Sequence, residues 1–273
     1  MRFAAISDVH SNLEALQAVL DDAERARVEA IVCLGDVIGY GPNPRETLDL
    51  VRKVASAVVL GNHEVLVGRE IPEHTAPQAA QAALWTRRML RPPRGSKVEV
   101  RLPGSGRLVP ASEEAQAKHR HKRARWAWLR SLPTCVVFDG VLLAHGTPAD
   151  PFDYVFGPIE AQRVLESQMK GAGLLLLGHT HVPAIALTDG RTLAFARAEE
   201  GRIYSLRGFT AIVNVGAVGQ PRDHDPRASY GIVREDRSVE IRRVPYDAEK
   251  TAAKIRAVRA LPAALADRLL CGE

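Results

Sequence analysis

Short apolar runs recur along this chain, and each stops at a small residue followed at once by a polar one. The runs lie in "MRFAAISDVH", "EAIVCLGDVIGYGPNP", "ASAVVLGNHE", "VLLAHGTP" and "LLLLGHTHVP". Runs of this length predict strands, and four consecutive leucines predict a strand covered on both faces. Between the first two runs, "SNLEALQAVLDDAERA" places Leu13, Leu16, Leu20 and Ala23 on one helical face, with Ser11 or Asn12 as cap. Strand, loop, helix and strand in that order predict parallel pairing. "TAPQAAQAALWTRRML" predicts a helix capped by Thr75 and ended before Pro92 and Pro93. "SKVEVRLPGSGRLV" alternates as a small hairpin does. "SEEAQAKHRHKRARWAWLRSL" restarts a helix at Ser112, with two glutamates in its first turn. Asp139-Gly140 and Asp189-Gly190 are hairpin dipeptides. With the strands up to "VEIRRVPYD" they predict a largely antiparallel second sheet. "DAEKTAAKIRAVRALPAALADRLL" closes the chain as one or two helices. The reading is an α/β chain, a two-sheet sandwich flanked by helices.

The polar residues after the strands are the chemistry. Asp8, His10, Asp36, Asn62, His63, His145, His179 and His181 all fall just past a predicted strand end, where open α/β sheets usually keep their ligand sites. Each short motif alone is weak; five strand-end clusters in order are strong. Seven of these side chains offer oxygen and nitrogen donors with no thiolate, a set that suits manganese, iron, zinc, cobalt or nickel. Seven ligands are too many for one ion that must keep an open position, but they suit two ions sharing a carboxylate.

The series D-x-H, G-D, G-N-H, H and G-H-x-H resembles the calcineurin-like metallophosphoesterase superfamily. It is most similar to a small bacterial branch with "GYGPNP" after the second motif and a segment like "NVGAVGQPRDHDPRASY" near the end. The resemblance runs from Met1 to about Glu70 and resumes near Leu129. It implies an α/β/β/α sandwich and hydrolysis of phosphodiesters or phosphomonoesters by in-line attack of a hydroxide bridging two metal ions. Carried onto this sequence, it puts Asp8, His10, Asp36 and His181 on the first ion. Asp36, Asn62, His145 and His179 hold the second, with Asp36 bridging. Manganese is the first choice of metal. His63 is implied to contact the phosphate, with Asn62, and to protonate the leaving alkoxide; a residue that merely orients Asn62 is the alternative. Arg222 either neutralises the phosphate or pairs with Asp223 or Asp225. Tyr40 and Asn43 are expected to shape a loop at the rim, His74 to be solvated, and His224 has no role. Ser/Thr phosphatases usually follow G-D with an arginine, which "GDVIGYG" lacks.

Composition then bounds the setting. With 46% hydrophobic and 25% charged residues in 273, the chain is an ordinary globular one, expected to form a single domain over 1–273. No apolar run approaches the roughly 20 residues of a membrane span, and no signal-peptide pattern opens the chain. Cys33, Cys135 and Cys271 are scattered, with no C-x-x-C, which excludes a zinc ribbon or dithiol centre and fits a reduced, cytoplasmic setting. The net charge of +5 is uneven: residues 87–130 hold thirteen Arg and Lys against three Glu. This excess falls within a stretch, residues 89–130, expected to be a basic insertion. Two readings of its helix stand side by side: a solvated helix with Trp126 and Leu129 packed on the core, or a lid or flank that attracts nucleic acid or nucleotide, with Trp126 and Trp128 offering stacking faces. A superfamily nuclease acting on single-stranded nucleic acid is therefore one alternative function. A non-catalytic binding scaffold is another.

Overall fold

Strands of four residues buried on every side need cover from two layers, and the fold supplies it. The computed structural model describes residues 1–69, 71–93, 99–101 and 108–273. It opens with β1 (Phe3–Ile6), α1 (Leu13–Arg25), β2 (Ala30–Cys33), α2 (Pro44–Val54), β3 (Ala57–Val58) and α3 (Asn62–Gly68). Then come α4 (Pro77–Leu90), β4 (Glu99–Arg101), β5 (Leu108–Pro110) and α5 (Glu113–Ser131). The second half starts with β6 (Cys135–Phe138), β7 (Val141–Ala144), α6 (Pro158–Ser167), β8 (Leu174–Leu177) and β9 (Ala184–Thr188). β10 (Leu193–Arg197), β11 (Ile203–Ser205), β12 (Thr210–Asn214), β13 (Ala228–Val233) and β14 (Ser238–Val244) follow. The chain closes with α7 (Ala248–Ala257) and α8 (Ala264–Cys271).

Two six-stranded sheets face each other, ordered β11-β14-β13-β1-β2-β3 and β10-β9-β12-β8-β7-β6. In β1, Phe3 and Ala5 point into the core between the sheets, while Ala4 and Ile6 point to the helical layer of α1 and α2. In β8, Leu174 and Leu176 enter the same inter-sheet core, and Leu175 and Leu177 pack on the side of α6. Alternate residues thus serve opposite faces, and no position in these strands is free to be polar. The architecture is the expected α/β/β/α sandwich. The second sheet differs from its prediction: β7, β8 and β12 pair in parallel at its centre, with antiparallel strands outside them. α6 makes the crossover that joining β7 to a parallel β8 requires.

Several local expectations are corrected. The buried face of α1 is Ala15, Leu16, Val19 and Ala23, whereas Leu13 and Leu20 are half-buried. Its cap is Asn12, whose Oδ1 accepts from the Ala15 N–H at 3.1 Å. α4 is not capped by Thr75; Ala76 precedes Pro77, whose missing N–H costs nothing in a first turn. α5 starts at Ser112 as expected, its Oγ accepting from the Ala115 N–H. β4 and β5 pair as the predicted hairpin; its turn, residues 102–107, lies outside the described residues. Asp139-Gly140 makes the tight β6–β7 turn, with both residues at positive φ. Among the described residues no helix is long and apolar enough to cross a membrane.

Candidate metal centre

The parallel strands β1, β2, β7 and β8 stop at one rim, and the loops that leave them carry the candidate ligands. Five of the seven have left-handed backbone: Asp8 (φ 52°), His10 (48°), Asp36 (50°), His179 (66°) and His181 (61°). Such conformations cost about 1–3 kcal/mol each and persist only where the surroundings hold them. The surroundings are tight here. A Cβ on Gly178 would collide with Ser7 Oγ and Asp8 Oδ2, and one on Gly61 with Asp36 Oδ1. Glycine at these points lets loops approach each other closely, between the two sheets at Gly178 and within the first sheet at Gly61.

All seven side chains converge, together with His63. Three groups each bring their donor atoms within 4.8 Å of one another: Asp8, His10 and His181; His10, Asp36 and His63; Asp36, His145 and His179. Asn62 joins the last, its Oδ1 lying 3.0 Å from His145 Nε2. His63 also falls among potential donors, beyond its expected place beside a ligand.

Hydrogen bonding fixes which nitrogen each imidazole offers. Nδ1 of His145 faces the Leu34 carbonyl at 2.8 Å, that of His10 the Ile38 carbonyl at 3.3 Å, and that of His181 the Gln220 carbonyl. A carbonyl only accepts, so in each ring Nδ1 carries the proton and Nε2 presents a lone pair. His179 is turned the other way, with Nε2 donating to the Phe152 carbonyl at 3.2 Å. The Nε2 atoms of His10 and His181 then face each other at 3.1 Å. His181 Nε2 lies 3.1 Å from Asp8 Oδ1, and His145 Nε2 lies 3.3 Å from Asp36 Oδ2. Both of those carboxylate oxygens are buried without a hydrogen bond. Lone pairs aimed at lone pairs in a buried space call for positive charge between them, and the donor set fits divalent transition-metal ions.

The electrostatics agree. Burial opposes charge on Asp36, yet His145 and His63 outweigh it and hold the carboxyl well below its usual range. Burial likewise opposes charge on Asp8, and His181 and His145 reverse it. Burial pushes His63 and His179 down to about 3 and His181 to about 4, keeping these rings neutral, the form that binds metal. His145 is the exception: burial would lower it, but Asp36 and Asp8 raise it to about 9.

Four further residues complete the site. Glu64, the last residue of "GNHE", is buried and accepts from the N–H groups of Asp36 (2.8 Å), Gly61 (2.9 Å) and Ile38 (3.3 Å). It staples the second ligand loop to the third. Asn214, at the end of β12, donates from Nδ2 to the Gly178 carbonyl and to Thr180 Oγ1, bracing the loop of His179 and His181. The sequence signal for both is their place inside the family-like motifs; nothing local says that they hold backbone. Tyr40 does more than shape the rim, for its ring lies 4.3 Å from that of His63 and 4.7 Å from that of His10. Tyr154, which no sequence motif points to, stacks on His179 with centroids 3.9 Å apart.

Arg222 reaches this cluster. Asp223 is engaged by Arg243, and Asp225 by Arg227 and Arg243. Arg222 has no carboxylate partner among the described residues; its guanidinium stands 6.0 Å from the Tyr40 ring, and its buried Nε is unpartnered. Asn43 lies outside the cluster and accepts from Lys254 Nζ at 3.3 Å. His74 is exposed, and His224 is solvated near Glu273. A groove of about 660 Å³, lined by Asp189, Arg207 and Arg237 among others, holds none of the candidate ligands.

Residues 1–238 match the calcineurin-like phosphoesterase superfamily domain, and the chain belongs to that superfamily. It is 33% identical over 278 residues to an uncharacterized protein of Methanocaldococcus jannaschii, covering 99% of this chain and 98% of that one. A solved metallophosphoesterase from Sphaerobacter thermophilus is 34% identical, with a TM-score of 0.78 over 100% of this chain and 99% of that one. A hypothetical protein from Pyrococcus horikoshii shares the fold at 18% identity, with a TM-score of 0.70, covering 100% of this chain and 98% of that one.

Proposed function

We propose that this chain is a metal-dependent phosphoester hydrolase acting on phosphodiesters or phosphomonoesters. Asp8, His10, Asp36 and His181 hold one divalent ion, and Asp36, Asn62, His145 and His179 hold the second. Manganese is our first choice among metals that nitrogen and oxygen donors suit. The observation that carries the reading is the pair of Nε2 lone pairs of His10 and His181 facing each other beside the orphaned oxygens of Asp8 and Asp36. Two ions so held would supply Lewis acidity and an activated water. We place the protein in the cytoplasm, consistent with its three free cysteines.

The chain's own residues do the rest. Arg222, with no carboxylate partner among the described residues, binds phosphate oxygens through its planar fork. His63 is neutral and stacked edge-on against His10, with its buried Nδ1 unpartnered. A phosphate beside it supplies the negative charge that favours its protonated form, from which it passes a proton to the leaving oxygen.

Proton transfer by a placed side chain is worth about 10²–10⁴ in rate, and its worth grows with the basicity of the leaving group. His63→Ala should therefore lose most of that range on alkyl or ribose esters and much less on nitrophenyl esters, at unchanged metal content. The measurement is kcat across esters of graded leaving-group pKa, with metal analysis alongside. An equal loss on every ester leaves His63 as a phosphate-positioning residue. Lost metal moves it into the ligand set, and a wild type with two metals but no turnover on any ester overturns the hydrolase reading.

A further inference from the structure

Between the buried cluster and solvent stands a short aromatic stack that the hydrolytic roles leave unused. The loop from β7 to α6 carries Phe152, Tyr154 and Phe156 at alternate positions. The first anchors it, through the Phe152 carbonyl that accepts from His179. The Tyr154 ring then lies on the His179 ring, with planes 21° apart, and the Phe156 ring lies on Tyr154 at 4.7 Å and 10°. Exposure climbs outward along the stack, from 4% for His179 to 42% for Tyr154 and 63% for Phe156. A lone exposed ring on a surface needs no explanation. Two rings stacked on each other and on a candidate ligand, ending in open solvent, present a flat apolar face at the mouth of the site.

Arg222 gives the stack a chemical direction. Its guanidinium stands 6.0 Å from the Tyr40 ring, and its charge also acts on Tyr154. A cation with no carboxylate partner among the described residues thus lies beside the Tyr40 face, and a ligand matching it and the stack joins a phosphate to a planar ring. Aromatic side chains stack nucleobases with little regard to which base it is, since every base has a π-face. We propose that Tyr154 and Phe156 form a stacking platform for the base of a nucleotide-type phosphoester, with Arg222 on its phosphate. This rests on the hydrolytic reading for the site's chemistry, and it names the class of substrate that the site prefers.

The test is calorimetric binding to the full chain reconstituted with manganese, comparing thymidine 5′-monophosphate with 2-deoxyribose 5-phosphate. The two probes differ only in the base. Stacking of one base is worth about 5- to 150-fold in affinity, so the nucleotide should bind wild type at least about fivefold more tightly. Phe156→Ala should reduce that ratio toward one, and Phe156→Trp should keep it. A ratio near one in wild type, or one that Phe156→Ala leaves unaltered, overturns the platform. Turnover of methyl p-nitrophenyl phosphate is measured alongside and reports on the hydrolytic reading alone. Base-dependent binding without turnover would keep the platform and discard the hydrolase; turnover without base-dependent binding would do the reverse.

Discussion

The two oxygens of Asp36 do different work. Oδ1 accepts from the His63 N–H at 2.8 Å, while Oδ2 faces His145 Nε2 at 3.3 Å and His10 Nε2 at 3.7 Å. One oxygen fixes the carboxylate to the loop of Asn62 and His63, and the other stands between the two proposed ion positions. Asp36→Asn removes the negative charge and can turn an N–H₂ toward the ions. We expect metal content below two per chain and a loss of turnover beyond the about 10–100-fold typical of removing a residue that merely supports a ligand. Removal of a single terminal ligand, as in His179→Ala, should cost less. Metal analysis with kcat on a nitrophenyl ester checks this, and full occupancy with normal turnover rules out a bridging role. The donor types could be read from sequence, because ligand chemistry is a property of side chains. The role of Glu64 could not be, because two of the three backbone N–H groups it accepts from, those of Asp36 and Ile38, belong to a loop distant in sequence.

At the scale of elements, α5 carries the densest positive charge. Its charges are partly compensated: Arg125 pairs in bidentate fashion with Asp49 on α2, and Lys118 pairs with Glu114 one turn away. Trp126 and Trp128 are half-buried against the core, with the Arg52 guanidinium over Trp128, and Leu129 is buried. Arg45, Lys118, Lys122 and Arg125 nevertheless line one groove, and burial together with repulsion from Arg45 and Arg125 lowers Lys122. We expect neutralisation of Lys118, Arg120, Lys122 and Arg123 to raise KM for a single-stranded oligonucleotide while leaving small esters much less affected. The slope of log affinity against log salt should also flatten by about 0.7 for every phosphate that no longer meets a cation. If both kinds of substrate respond alike, α5 is a solvated face. The helix itself was legible from its cap and first-turn glutamates, since capping is local. Packing through Trp126 and Leu129 was one of its two readings, but the tie to α2 was not legible, because Asp49 lies 76 residues from Arg125.

Across the whole molecule, α1 is tied to the far end of the sequence by Asp22. Its carboxylate accepts from the Tyr230 hydroxyl on β13 at 2.7 Å and from Arg242 on β14 at 2.7 and 3.1 Å. Hydrogen bonds from Arg242, working against burial, hold the Asp22 carboxyl below its usual range. A depressed folded value means that the contribution to stability is present above the unfolded pKa of about 3.9 and is lost as pH falls through the folded value. Asp22→Asn should therefore cost about 1–3 kcal/mol near neutrality, and the gap from wild type should close in acid. Urea unfolding with chelator present, at pH 7 and down to pH 2, tests this; a constant gap would mean that the charge of Asp22 is not what stabilises the tie. Local pattern determined much here: strand-length apolar runs, helix caps, hairpin dipeptides, and ligand-type residues placed one step past each strand. Those are properties of neighbouring residues, and so they are written in order along the chain. The parallel pairing of β1 with β2 was read from the strand-helix-strand order; only the tertiary structure decided that β7, β8 and β12 also run parallel, which nitrogen each histidine offers, and that Arg222 turns to the site while Asp223 and Asp225 turn to Arg243 and Arg227. It also decided that Tyr154 and Phe156 stack outward from His179. Each of these depends on backbone and side chains brought together from distant segments, and no local pattern carries that information.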